Sequence, residues 1–190
     1  ADFGMILFAL ILVLLNGFFV AAEFAMVKLR STRVEAIADK NGWRGHILRT
    51  VHSQLDAYLS ACQLGITLAS LGLGWVGEPA FAHLLEPVLS AVGVDSAEVV
   101  KAVSFFTAFF IISYLHIVVG ELAPKSWAIR KPELLSLWTA VPLYLFYWAM
   151  YPAIYLLNAS ANQILRIAGQ GEPGPHHEHH YSREELKLIL

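Results

Sequence analysis

Cysteine is almost missing from this 190-residue chain. The single one, Cys62, lies inside an apolar run, so an intrachain disulfide framework and a cysteine-rich metal site are both excluded. Charge is scarce too: 15% of residues are Asp, Glu, Lys or Arg, against about 25% in an ordinary soluble domain. The net charge is −2 and the basic residues fall in scattered clusters, which leaves no dense cationic face for a phosphate backbone and excludes nucleic-acid binding. Catalytic signatures are absent as well. There is no nucleophile elbow, phosphate-binding loop or H-E-x-x-H pair, so the expectation is a protein that is not an enzyme. No internal repeat is visible.

What the chain does have is apolar length. Hydrophobic residues make up 57% of it and the mean hydropathy is +0.57. A hydrocarbon core of about 30 Å takes roughly 20 apolar residues as helix. Four stretches approach that: Met5 to Val27, Leu55 to Val76, Val99 to Val119, and Leu134 to Leu157. The first is no signal peptide, because it is too long and its basic flank, Lys28, Arg30 and Arg33, follows it while only Asp2 precedes it. The chain starts at Ala1 and stops inside a helical pattern at Leu190, the expectation for a piece of a longer protein.

Charge asymmetry orients the runs. Lys28, Arg30, Arg33, Lys40, Arg44 and Arg49 after the first run place that segment in the cytoplasm by the positive-inside rule. Glu78, Glu86, Asp95 and Glu98 place the next connection outside, and Lys125, Arg130 and Lys131 return the chain to the cytoplasm. The amino terminus is then outside. A fourth crossing would export Arg166, Arg183 and Lys187, so the run with Pro142, Pro152 and five interfacial tyrosines and tryptophans reads as a bent belt or re-entrant helix. The alternative is a fourth span with two tolerated proline kinks.

Shorter segments follow local rules. Ser31 to Ser53 predicts two amphipathic helices joined at Asn41-Gly42, where a left-handed residue ends the first. Glu78 to Val92 predicts a separate external helix opening at Glu78-Pro79, followed by a Gly93-Val94-Asp95 turn. Gly169 to Pro175 is rich in helix breakers and reads as a linker, and Ser182 with Glu185 forms a capping box for a new helix.

Ionisable and polar groups inside spans are the functional candidates. Glu23 lies near the cytoplasmic end of the first span, where it serves a function or pairs with Lys28 or Arg30. In Gly120-Glu121-Leu122-Ala123-Pro124-Lys125 a carboxylate sits beside a proline that releases a carbonyl of the preceding turn. Such oxygens suit a hard cation, and broken helices supply them in transporters; the plain alternative is a helix terminus with a salt-bridged glutamate. Gln63, Thr67 and Ser70 share one face of the second span, suited to helix–helix hydrogen bonding or to cation coordination, while Gly65 and Gly72 permit close packing. Asn16-Gly17 is a further polar break. His116 reads as an interior hydrogen-bonded histidine or a proton relay, and His176-His177-Glu178-His179-His180 as solvated loop with incidental metal affinity.

As a set, Asn16-Gly17-Phe18-Phe19-Val20-Ala21-Ala22-Glu23-Phe24-Ala25, Gly65-x-Thr67-Leu68 and Gly120-Glu121-x-x-Pro124-Lys125 resemble the transmembrane domain of the cyclin M and CorC magnesium transporters, also described as hemolysin-like. The resemblance covers residues 1 to 168. It implies an all-α membrane fold, with three transmembrane helices per subunit, juxtamembrane amphipathic helices and a belt helix. It further implies a homodimer that exports Mg²⁺ in exchange for Na⁺. Residues 169 to 190 would then lead into an absent pair of cytoplasmic CBS domains that bind ATP. In magnesium-binding members serines stand where this chain has Val20 and Ala22, and an asparagine where Ser70 aligns. Either water and carbonyls complete the shell, or the site prefers another ion.

The expectation is therefore a cation exporter of the bacterial inner membrane. Glu121 is its principal anionic ligand, with Ser70, Thr67 and the Gly120 carbonyl as further oxygens, and Pro124 holds the helix break. Glu23 binds a coupling Na⁺ or pairs with Lys125, and Asn16 and Gln63 lend polar support. The rivals are a regulatory membrane protein that senses Mg²⁺ or nucleotide, and a toxin, suggested by the hemolysin label alone. The crossing count has a direct test. A cysteine introduced at Gln170 in a Cys62→Ala background should resist a membrane-impermeant maleimide in intact cells, and external labelling there means four crossings.

Overall fold

The computed structural model describes residues 2–91, 93 and 96–169, and every regular element among them is helical. Helix α1, Asp2–Lys28, is the first apolar run nearly unaltered, and at 1.5 Å per residue its 27 residues reach about 40 Å. Two short helices follow, α2 (Ser31–Lys40) and α3 (Gly42–Ser53). Gly42 between them has φ +53°, the left-handed backbone expected of this junction. Ion pairs fasten the two: Arg49 reaches Glu35 at 2.6 Å and Asp39 at 3.0 Å. His52 Nε2 lies 3.0 Å from the Leu29 carbonyl, which ties the end of α3 back to the end of α1.

Helix α4, Leu55–Ala91, corrects one expectation. No separate helix starts at Glu78-Pro79; α4 runs on through Pro79 and Pro87 for 37 residues. A proline inside a helix removes one backbone bond, and packed neighbours in a membrane protein make that tolerable. Ala80, one residue on, is fully buried, and Gly77 lets Ile112 and Leu73 close in around the same turn. Of the turn expected at 93–95, Gly93 has φ +90°, while Val94, Asp95 and Val92 lie outside the described residues.

The third span does not end where its sequence weakens. Helix α5 (Ala97–Leu115) passes into a π-helical segment, His116–Leu122, and then into α6 (Ala123–Arg130). Together they form one apolar rod, Ala97–Arg130. The alternative of a simple helix terminus at Gly120 is thereby replaced by a widened turn within a continuing helix.

The fourth run forms α7 (Pro132–Ala149) and α8 (Tyr151–Ile167), which meet at an 80° bend. Pro142 lies inside α7 without ending it. The break falls at Met150, and Pro152 occupies the first turn of α8, where a missing N–H costs nothing. Three helices, α1, α4 and the α5–α6 rod, are long and apolar enough to cross a membrane, and α7 with α8 qualifies only if the bent pair counts as one broken span. The chain divides into two compact units, Ala1–Ile154 and Tyr155–Leu190. In the second, α8 continues as an amphipathic helix and ends before Gly169, at φ +77°. The linker, the histidine cluster and the helix expected from Ser182 lie outside the described residues.

Within the first unit, α1 is the central post and packs most extensively on α4. The main core joins Phe19, Ala22 and Met26 of α1 to Leu48 and Val51 of α3, Tyr58 and Cys62 of α4, and Leu143 and Tyr147 of α7. Aromatic contacts stitch this layer, with Tyr58 and Tyr147 centroids 4.5 Å apart and Phe19 and Phe146 4.7 Å apart. At the far end of the spans a smaller cluster of Ala9, Val13, Leu73 and Ile112 holds α1, α4 and α5. Alanines at 21, 25 and 128 let α6 lie close to α1 beside Leu135.

Gly65 sets the α1–α4 approach, since a Cβ there would fall 2.5 Å from the Phe19 ring. Gly65→Ala should therefore destabilise the detergent-purified protein by about 1–3 kcal/mol through overpacking. Gly74→Ala, where nothing lies within 4 Å, should leave the melting midpoint unchanged or raise it. Equal effects at the two positions would show that close packing at Gly65 is not limiting.

Candidate functional site

Asn16 is a fully buried amide halfway along α1. In an apolar interior such a group must be hydrogen-bonded or it costs several kcal/mol. Its partners come from the other two spans. Asn16 Nδ2 donates to the Gly120 carbonyl at 2.9 Å, and Asn16 Oδ1 accepts from the Ser70 hydroxyl at 3.2 Å.

The Gly120 carbonyl is available because of Pro124. Proline has no N–H to return to the carbonyl four residues back, and its ring crowds that oxygen. The chain responds by widening over His116–Leu122, where the Ala123 amide bonds the Val118 carbonyl, five residues back. π turns inside α-helices are frequent at functional sites. Gly17 makes the room: a Cβ there would lie 2.9 Å from Pro124 Cγ and 3.2 Å from the Val119 carbonyl. Asn16 and Gly17 thus act as one device, an amide that reaches across and a gap that admits the proline.

The same widening sets residues five apart one above the other. His116 Nε2 lies 3.1 Å from Glu121 Oε1, with the carboxylate side chain about half exposed. The other ring nitrogen, Nδ1, is buried and has no hydrogen-bond partner among the described residues. It lies 3.4 Å from the point where a Gly120 Cβ would sit, with Asn16 Nδ2 at 3.3 Å and the Val13 carbonyl at 3.5 Å from that point. Gly120 is therefore the small centre of a polar knot contributed by α1 and the π turn.

The expected site residues separate into two groups. Asn16, Ser70, Gly120 and Pro124 come together where the three long helices meet, and Glu121 follows Gly120 with its carboxylate on His116. Thr67 and Gln63 do not join them: both are exposed on α4, and the Thr67 hydroxyl donates to the Gln63 carbonyl at 2.8 Å within its own helix. Glu23 is half-buried on α1. Among its named cations, Lys125 is the one whose charge acts on it, and no ion pair with Lys28 or Arg30 forms among the described residues. Lys125 Nζ lies 4.5 Å from the centroid of the Phe24 ring, next to Glu23. Val20 and Ala22 are buried and bring no oxygen.

Two features escaped the sequence reading. The bridging role of Asn16 was legible only as a polar break, and the contact of His116 with Glu121 only as proximity along a helix. The spacing that carries both is a glycine four residues before a proline with a histidine four residues before that glycine. Among the described residues no three His, Cys, Asp or Glu side chains gather as a metal cage. The knot's donors are mainly oxygens, from a carboxylate, a carbonyl, a hydroxyl and an amide, which suits a hard cation better than a soft one.

Comparison with known proteins shows the family. Residues 7–190 match the family described as the Cyclin M transmembrane N-terminal domain. The UPF0053 protein YhdT of Bacillus subtilis is 46% identical over 180 residues, 95% of this chain and 39% of the relative. UPF0053 protein YugS of the same organism is 43% identical over 95% of this chain and 42% of the relative. The uncharacterized protein Rv1841c of Mycobacterium tuberculosis is 38% identical over 86% of this chain and 46% of the relative. The chain spans about two-fifths of the length of the two Bacillus relatives.

Removing the bridge tests the knot as a structural unit. Asn16→Ala should lower stability in detergent by about 1–2 kcal/mol, the upper part of the range for hydrogen bonds between membrane helices. A double-mutant cycle with Ser70→Ala should show coupling of about 0.5–1 kcal/mol. Strict additivity would mean that the 3.2 Å contact contributes nothing.

Proposed function

The chain belongs to the cyclin M transmembrane family, and from that premise we propose that it is the membrane part of a divalent-cation transporter that exports Mg²⁺ in exchange for Na⁺. The observation that carries this reading is the Gly120 carbonyl, released by Pro124 and held by Asn16 beside Glu121 where three membrane-spanning helices converge. A carbonyl with a second lone pair and a carboxylate, both on the π turn, and the Ser70 hydroxyl on α4 are hard oxygen donors on two separate helical segments. Mg²⁺ keeps several waters in most protein sites, so a few protein oxygens suffice.

Alternating access follows from where the donors sit. The Gly120 and Glu121 oxygens ride on the π turn and the Ser70 hydroxyl on α4, with Asn16 of α1 between them, so a shift of α4 relative to the π turn makes or breaks the set. A π turn already departs from α-helical bonding, which lowers the cost of such a shift. Glu23 with Lys125 forms the second charged station, nearer the basic ends of the helices, and is the place for a coupling Na⁺. The apolar face of α5, with Phe106, Phe110 and Tyr114 exposed, meets lipid or a second copy in a homodimer. In this reading the amino terminus is outside a bacterial inner membrane, and the carboxy-terminal side leads to ATP-binding CBS domains in the cytoplasm. Thr67 and Gln63, exposed on α4, would act only across a subunit interface or after movement.

A regulatory or sensing role for the membrane domain is the second reading. Buried Val20 and Ala22 favour it, since they withhold two hydroxyls that magnesium-binding members supply. One experiment divides the readings: the full-length protein in liposomes, with Mg²⁺ flux followed under an imposed Na⁺ gradient, and Mg²⁺ binding measured by calorimetry. Saturable binding that Na⁺ weakens, flux that follows the gradient, and loss of both in Glu121→Gln are expected. Binding without flux would favour the sensor. Full activity of Glu121→Gln would remove that carboxylate from the ion path.

A further inference from the structure

A second site lies at the basic ends of the helices, away from the Asn16 knot. The α5–α6 rod ends at Arg130, Lys131 breaks the helix, and α7 starts at Pro132. Between this junction and the end of α2 lies an open groove of about 510 Å³. Its polar edge is Arg130, Lys131 and Asn41, and its apolar side is Ile37, Leu134 and Leu137.

The charge of the groove is not cancelled. Glu133 is the acid among the lining residues, and Arg33 holds it with Nη2 at 2.6 Å and Nε at 2.7 Å from the same carboxylate oxygen. Arg130 and Lys131 are both exposed, and neither side chain has an ion-pair or hydrogen-bond partner among the described residues. Two adjacent cations therefore face the groove, and the amino-terminal end of the 18-residue helix α7 adds partial positive charge beside them.

The side chains around the groove are those of a membrane interface. Trp127 on α6 and Trp138 on α7 are exposed on either side of the junction, and Trp43 is exposed at the start of α3. The Arg44 guanidinium lies 5.2 Å from the Trp138 centroid and 5.6 Å from that of Trp43. Tryptophans and arginines mark the headgroup level, and basic pockets there recognise anionic lipid headgroups.

We propose that this groove binds an anionic phospholipid, with the headgroup phosphate between Arg130 and Lys131 and the upper acyl chain on Ile37, Leu134 and Leu137. The amphipathic lining decides the source. A free phosphate uses the two cations and leaves the leucines idle, whereas a phosphodiester with acyl chains uses both sides. The lipid bridges α2 to the α6–α7 junction, the same elements that Arg33 and Glu133 already join. The inference does not depend on which ion the knot carries.

The test is titration of the full-length protein in neutral detergent with dioleoylphosphatidylglycerol or dioleoylphosphatidylcholine, reading bound lipid by native mass spectrometry. Phosphatidylglycerol should bind saturably and phosphatidylcholine should not. Arg130→Gln with Lys131→Gln should weaken phosphatidylglycerol about thirtyfold, about fivefold for each cation removed. Lys40→Gln, an exposed cation outside the groove, should change nothing. Unchanged phosphatidylglycerol binding in the double variant would overturn the site. So would displacement of the lipid by glycerol phosphate at equal concentration, which would mean an anion site without an acyl seat. Failure of the native protein to bind phosphatidylglycerol while a protein segment cross-links to position 131 would assign the groove to a protein partner instead.

Discussion

One amide organises the membrane part of this chain. Asn16 could not be buried in an apolar helix bundle without partners, and the two it takes lie on the other two long helices. The Gly120 carbonyl accepts it because Pro124 withdrew that carbonyl's usual donor. Two irregularities that would each be unfavourable alone, a buried amide and an unpaired carbonyl, satisfy each other across the interface. The π turn and the nearness of Glu121 to His116 follow from the same proline, and the gap at Gly17 admits it.

Around the knot, packing is governed by small residues on one side and aromatics on the other. Gly65 admits the Phe19 ring, and alanines at 21, 25 and 128 bring α6 against α1. In lipid, apolar contact between helices is not driven by water, so close backbone approach and dense van der Waals contact do the holding. Tyr58, Tyr147 and Phe146 fill the layer where α7 covers α1 and α4.

The basic ends of the helices obey different rules. Arg49 with Glu35 and Asp39, and Arg33 with Glu133, are exposed pairs of small individual worth. Their effect is to engage acidic groups locally, so that Arg130 and Lys131 have no ion-pair partner among the described residues. The polar knot inside the bundle and the basic groove at its edge are thus built from different groups, one mainly from oxygens and the other from exposed cations.

Hydropathy located the three long spans, because a bilayer sets one length scale that a one-dimensional average can read, and charge asymmetry set the fourth run apart from them. Local chemistry was legible too: Gly42 takes the left-handed backbone, and Pro152 opens a helix. Proline spacing misled at Pro79, since whether a proline ends a helix depends on the neighbours packed against it, here at Ala80 and Gly77. The residue types of the candidate site stood in three motifs, yet which of them meet did not. Ser70 turns to Asn16 while Thr67, three residues earlier on the same helical stripe, stays exposed. That choice belongs to the tertiary structure, because it depends on how α1 and the π turn pack against α4, and no residue spacing within one helix records the position of its neighbours.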